Sequence, residues 1–222
     1  MFTLRWLLLL MLLIGLNFNT KASWASLASQ SLAPSVSKLY NRGKQYFEAQ
    51  EYNLAIKSFL KLLEIEPNNV LAYNQIGMSW GEINKYPAAI AAFNRAIALD
   101  GNFANAYFNR GHVYQQLGKY NLALTDFDRA LALTEGKHVS ALINRASIYA
   151  LQKNYHSALT DLKQAIELNP KSATAYYNRA LINLTIGNKT DYLNDLTTAE
   201  QLYRQTEDTS GLAQIERIKE FY

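Results

Sequence analysis

At one recurring place in this chain, four times over, an asparagine stands directly before an arginine inside an apolar, small-residue frame: Asn41-Arg42, Asn109-Arg110, Asn144-Arg145 and Asn178-Arg179. Neither side chain suits bond-breaking chemistry. A carboxamide both donates and accepts hydrogen bonds, and a guanidinium offers several donors in a fixed fork, so the pair suits recognition and clasping. Groups that could do catalysis are scattered. His112, His138 and His156 lack the close spacing of a metal site. Glu48 and Glu82 fall at equivalent places in successive units, a pattern of solvated faces rather than of a paired-carboxylate site. No glycine-rich phosphate loop or nucleophile motif occurs. The chain has no cysteine, which excludes disulfides, thiolate metal sites and a cysteine nucleophile. The expectation is a protein without catalytic residues, metal or cofactor.

The elements that must position these residues are repeats. Aligned on the small residue after the Asn-Arg pair, Gly43, Gly77, Gly111, Ala146 and Ala180 recur at steps of 34, 34, 35 and 34. A second small column, Ala55, Ala89, Ala123 and Ala158, falls later in each unit. It is followed by Phe59, Phe93, Phe127, Leu162 and Leu196, and then by Leu62, Ala96, Ala130, Ala165 and Ala199. Tyr52, Tyr86, Tyr120 and Tyr155 open the second half of the first four units. Within each half the apolar and small residues lie three or four apart, which is helical spacing. Turn residues such as Asn84-Lys85 and Gly118-Lys119 separate the halves, so each unit reads as two antiparallel helices.

These columns, with Pro67 and Pro170 closing their units, resemble the tetratricopeptide-repeat (TPR) family over residues 36 to about 206. The resemblance implies an all-α, right-handed superhelical solenoid of antiparallel helix pairs. The expected division is a leader at 1–25, a linker at 26–35, repeats at 36–69, 70–103, 104–138, 139–172 and 173–206, and a capping helix at 207–222. Repeat three carries one extra residue near Glu135-Gly136. In the fifth repeat Lys189 replaces the tyrosine and Tyr192 the small residue, and Tyr192 is expected to refill the lost aromatic position. Stacked repeats leave an apolar end that needs a polar-backed cap, and Leu212, Ile215 and Ile218 recur at helical spacing to supply it.

The arginine column has partners. Sixteen residues after Arg110, Arg145 and Arg179 come Asp126, Asp161 and Asp195, whereas repeat two has Ile76 and Ala92 there. Joint presence and absence of the two charges predicts a structural ion pair between the helices of one repeat, because an unpaired buried charge costs several kcal/mol. Arg42, opposite Ser58, needs another acceptor.

The asparagine column runs Asn41, Gln75, Asn109, Asn144 and Asn178, every member a carboxamide. The family resemblance places it on the inner, concave face, where such residues hold the backbone of an extended peptide. Helices about 8–10 Å apart and a strand rise of about 3.3 Å per residue would let one rung serve roughly every third ligand residue. The alternative is that the amides bond to neighbouring helices and stabilise the stack. Tyr40, Phe108, Tyr177, Lys44 and His112 are the expected neighbours in the groove. The family's clamp for acidic C-terminal peptides needs several cations around the asparagine, and only Lys44 qualifies, so an uncharged or partly apolar segment is the expected ligand.

The net charge of +4 includes Arg5 and Lys21 of the leader, and no concentrated basic stripe occurs, which argues against a nucleic-acid partner. Residues 1–25 combine an early arginine, an apolar run from Trp6 to Leu16, and Ser23 and Ala25 spaced like a signal-peptidase site. The expectation is export, to a periplasmic or lumenal space or beyond, with a membrane anchor at residues 2–16 if the leader is retained. The function expected is a non-enzymatic scaffold for a protein or peptide partner, such as an envelope assembly factor. A self-associating structural component of an envelope complex is the alternative.

Overall fold

The computed structural model describes residues 35–221. The expected leader, most of the linker, and Tyr222 lie outside the described residues. Eleven α-helices are described: α1 (Val36–Glu48), α2 (Tyr52–Ile65), α3 (Val70–Glu82), α4 (Tyr86–Leu99), α5 (Ala104–Gln116) and α6 (Tyr120–Leu133), then α7 (Val139–Leu151), α8 (Tyr155–Leu168), α9 (Ala173–Thr185), α10 (Lys189–Gln205) and α11 (Thr209–Phe221). The first ten form five consecutive antiparallel hairpins, and each hairpin stacks on the next to make an all-α solenoid. The first helices of successive hairpins also meet (α3 with α5, α5 with α7, α7 with α9), and no two second helices approach to that extent. The stack therefore curves with its first helices inside.

Every hairpin turns through one left-handed residue at the same place: Gln50, Asn84, Gly118, Lys153 and Gly187, with φ between 58° and 83°. A left-handed residue after a helix lets its last carbonyls be bonded and reverses the chain in three residues. The extra residue of the third repeat is absorbed entirely between hairpins. Glu135 and Gly136 both take positive φ, 52° and 77°, and Gln164 Nε2 donates to the Gly136 carbonyl at 3.1 Å. The helices on either side keep the 14- and 13-residue lengths of their counterparts, so the stack stays in register.

The core is built where a second helix lays a large side chain across a small residue of its own first helix. Phe59, Phe93 and Phe127 are at most 1% exposed. Their rings lie so close to Gly43, Gly77 and Gly111 that a Cβ there would meet ring atoms at 2.6, 2.5 and 2.9 Å. In the fourth and fifth hairpins the small residue is Ala146 or Ala180 and the large one is Leu162 or Leu196. Volume is exchanged across the helix pair, as close-packed interiors require.

α11 closes the far end, covering Tyr192, Leu196, Ala199 and Tyr203 with Ile215, which is 1% exposed, and the half-buried Leu212 and Ile218. Tyr192 is itself 5% exposed within this cluster. The polar back of α11 is tied down by Lys219, whose ammonium donates to Glu200 of α10.

One helix start carries a titratable cap. His138 caps α7, its Nδ1 accepting from the Ala141 N–H at 3.2 Å, and its ring packs on Phe108 with centroids 4.6 Å apart. Burial holds this imidazole below its ordinary value of 6.5. Protonation removes the lone pair that makes the cap. The unfolded chain then binds the proton more readily than the native one, so stability falls as pH drops through about 6.5 towards the folded value. Thermal melts at pH 7 and pH 5 should show His138→Asn, which keeps a capping oxygen and cannot titrate, losing about 1 kcal/mol less than the parent. Equal losses would remove His138 from the pH response.

Candidate functional site

The arginines and asparagines leave α5, α7 and α9 in different directions and do different things. Arg110, Arg145 and Arg179 reach across their hairpins to buried aspartates. Each donates from Nε at 2.8 Å and from Nη2 at 2.7 Å to the two oxygens of Asp126, Asp161 or Asp195. The aspartates are 3–5% exposed, and bidentate geometry with two charge-assisted bonds offsets their desolvation. These hydrogen bonds, ahead of burial acting in the opposite direction, hold all three guanidinium groups above the ordinary arginine value. Arg42 differs: it is exposed, so solvent serves as its acceptor, and Ser58 is buried without it.

The carboxamides point back along the stack. Asn109 Nδ2 donates to Asn74 Oδ1 at 2.9 Å, and Asn178 Nδ2 donates to Ser147 Oγ at 3.4 Å. Asn144 Nδ2 lies 3.4 Å from His112 Nδ1. Each amide group thus bridges to the first helix of the preceding hairpin, which is the stack-stabilising role. Among the described residues their Oδ1 atoms accept no hydrogen bond, so the acceptor half of each amide remains available. Asn41 is exposed and Gln75 half-buried.

Two of these amides border open notches between first helices. The notch between α3 and α5 has a volume of about 310 Å³ and is lined by Met78, Glu82, Asn109, His112 and Gln116 over a base of Gly77 and Phe93. The equivalent notch between α7 and α9, about 350 Å³, is lined by Ser147, Ala150, Leu151, Asn178, Leu181 and Thr185. Their chemistry differs. Glu82 has no cation within ion-pair distance among the described residues, whereas Glu48 lies 3.9 Å from Lys44. Burial keeps His112 below its ordinary value, against the opposing effect of Glu82. The first notch therefore carries the negative charge of Glu82 with no compensating imidazolium at neutral pH. The second holds no charged group.

Other expected groove residues are shared with the core. Tyr40 packs edge-on against Phe59 with centroids 5.7 Å apart, and Phe108 lies against Phe127 at 5.9 Å. Tyr177 joins the last cluster beside α11, where burial, with Tyr203 in support, raises its phenol above the ordinary value. All three are half-buried. The notch walls instead come from positions three and seven after the carboxamides: His112 and Gln116 after Asn109, Leu181 and Thr185 after Asn178. Residues at those offsets share a helix face, a signal present in the repeat columns.

Among the described residues no cluster of His, Asp and Glu is disposed to hold a metal, and no helix is long and apolar enough to cross a membrane. What the inner face can do chemically is accept hydrogen bonds and enclose side chains.

The architecture and the repeat columns define a class. Patterns described as TPR repeat match residues 43–79 and 82–118, and patterns described as tetratricopeptide repeat match 102–171 and 152–210, so the chain belongs to the tetratricopeptide-repeat family. Solved structures share the fold. TTC0263, a thermophilic TPR protein of Thermus thermophilus, superposes with a TM-score of 0.69 at 16% identity over 82% of this chain and 98% of that one. MamA of Desulfovibrio magneticus gives 0.61 at 15% identity over 81% and 99%. YrrB, whose structure is described as a TPR protein with an unusual peptide-binding site, gives 0.60 at 20% identity over 86% and 97%. No curated protein matches the chain in sequence.

Proposed function

We propose that this chain is a five-repeat, non-enzymatic scaffold that holds an extended segment of a protein partner along its first-helix face. The observation that carries this reading is the pair of equivalent notches, each bordered by an asparagine whose Oδ1 is uncommitted. An extended segment presents a backbone N–H donor at every residue except proline, matching such acceptors without selecting side chains. Side-chain selection then falls to the notches, a basic residue towards Glu82 and an apolar one towards Leu151 and Leu181. The description of YrrB as peptide-binding is consistent with this use of the fold.

The test is selection of a displayed random-peptide library on the full chain. The parent should enrich peptides carrying one basic and one apolar residue. Glu82→Lys should exchange the basic preference for an acidic one, and Leu181→Glu should weaken the selected peptides by at least about tenfold, as expected when a charge replaces an apolar contact. Lys57→Glu, on exposed α2, serves as control. Peptides that bind all four proteins equally would place recognition elsewhere.

The proposal extends to location. The leader features around Arg5, Trp6–Leu16, Ser23 and Ala25 are the basis for reading the chain as exported, with its partner in an envelope complex. Mass analysis of the mature protein decides this: a chain beginning just after Ala25 supports the reading, and one retaining Met1 in the cytosol sinks it.

A further inference from the structure

The guanidinium column treats its fifth-hairpin member differently from the two before it. In the third and fourth hairpins the preceding second helix supplies an oxygen to the outer nitrogen. Asn94 Oδ1 accepts from Arg110 Nη1 at 2.6 Å, and Asp128 Oδ1 accepts from Arg145 Nη1 at 2.7 Å. The residue in that register before Arg179 is Lys163. Arg179 keeps both bonds to Asp195, and among the described residues nothing accepts from its Nη1.

A second, independent change falls on the same group. Tyr114 and Tyr149, each four residues after its arginine, bring their ring centroids within 6.0 and 5.8 Å of the guanidinium carbon. The residue in that place after Arg179 is Asn183, so on that side the guanidinium has no ring, and it keeps only the Tyr176 ring, three residues before it, at 5.5 Å. Loss of the ring and of the acceptor together leaves a cavity of about 510 Å³ beside Arg179, bounded also by Lys163, Asn183, Asp191 and Asn194. It shares no lining residue with the inner-face notches.

The charges around it are unevenly committed. Asp195 is held by Arg179, with Asn183 Nδ2 donating to it at 3.4 Å. Asp191 accepts from Asn188 Nδ2 at 2.6 Å, yet its charge still opposes an entering anion. Lys163 lies 4.0 Å from Glu167, both well exposed, an arrangement of little strength in water. Arg179, with its unused Nη1 donors, and Lys163 thus border one cavity.

We infer that this cavity binds a small oxyanion, a carboxylate or a phosphate, which bridges Arg179 Nη1 and Lys163 Nζ and supplies the oxygen that Asn94 and Asp128 supply in the other hairpins. Fork-shaped guanidinium donors match either anion. The site is independent of the peptide reading.

The test uses the full chain with sodium glutarate or sodium phosphate, against sodium chloride at equal ionic strength. Either oxyanion should raise the melting temperature with the logarithm of its concentration, by about 3–5 °C at ten times its dissociation constant. It should also shift the Arg179 side-chain nitrogen resonances. The larger response identifies carboxylate or phosphate as the ligand. Asp191→Asn should tighten the response. Lys163→Asp, which places a carboxylate where Asp128 stands for Arg145, should raise the melting temperature without added anion and weaken the response at least about tenfold. The proposal is overturned if neither oxyanion exceeds chloride, if Lys163→Asp responds as the parent does, or if Asp191→Asn weakens the response.

Discussion

Replacing Gly77 with alanine lowers the stability of the solenoid by about 2 kcal/mol, even though alanine is the better helix former by about 1 kcal/mol. A Cβ at this position meets three atoms of the Phe93 ring at 2.5, 2.7 and 2.8 Å, closer than van der Waals contact allows. The ring is 1% exposed and cannot retreat without displacing its neighbours. Overpacking of a closed core costs about 1–3 kcal/mol, and contacts this short belong at or beyond the upper end. For a domain of this size the melting temperature falls by about 4–8 °C. The fourth hairpin supplies the rescue. Ala146 sits there beneath Leu162, both fully buried, so the chain already uses the smaller partner for the larger column residue. Phe93→Leu in the Gly77→Ala background should bring stability back to within about 1 kcal/mol of the parent, a coupling of about 2 kcal/mol between residues in contact. Melts of the parent, both single variants and the double variant measure it. Additive losses would mean that the ring and the glycine do not share their volume.

Arg145→Ala should cost more, about 3–5 kcal/mol, because it strips a nearly buried carboxylate of its cation. Asp161 loses both bidentate bonds with its side chain only 6% exposed, whereas Asp128, 55% exposed, is rehydrated when its bond to Nη1 goes. The second hairpin offers the compensating design. Ile76 and Ala92 occupy the same two places there, at 5% and 9% exposure, with no charge between them. Arg145→Ile combined with Asp161→Ala should therefore recover at least half of the loss, since replacing a buried ion pair by packed apolar residues is often neutral. Thermal or urea unfolding of the parent and both variants decides this. A double variant as unstable as Arg145→Ala would show that Asp161 is not the source of the cost.

Both experiments use one hairpin as the template for another, which repeats permit because each unit contacts chiefly its neighbours. That modularity also explains how much was readable beforehand. Steps of 34, 34, 35 and 34 in small, aromatic and alanine columns specify helical hairpins, because a helix face recurs every three to four residues whatever its neighbours. The matched presence and absence of Arg and Asp sixteen residues apart was legible for a similar reason: each buried aspartate meets its arginine inside one unit. The exchange of Gly with Phe for Ala with Leu was also written in the columns, but it has meaning only once the ring is seen lying across the Cα.

What the linear order of residues could not decide was what the carboxamides face. Asn109, Asn144 and Asn178 share one column, yet Asn109 meets Asn74, one residue before the preceding carboxamide, whereas Asn144 and Asn178 meet His112 and Ser147, three residues after it. Which atoms of each amide remain for a ligand depends on the offset between stacked hairpins, a rigid-body quantity set by packing across the seam. The notches depend on it too, since Glu82 meets Asn109, and Leu151 meets Asn178, only across two helices. The repeat period and the clasps were therefore determined by the chain alone, through contacts local to one unit. The binding surface was decided by tertiary structure, because its walls belong to two units at once.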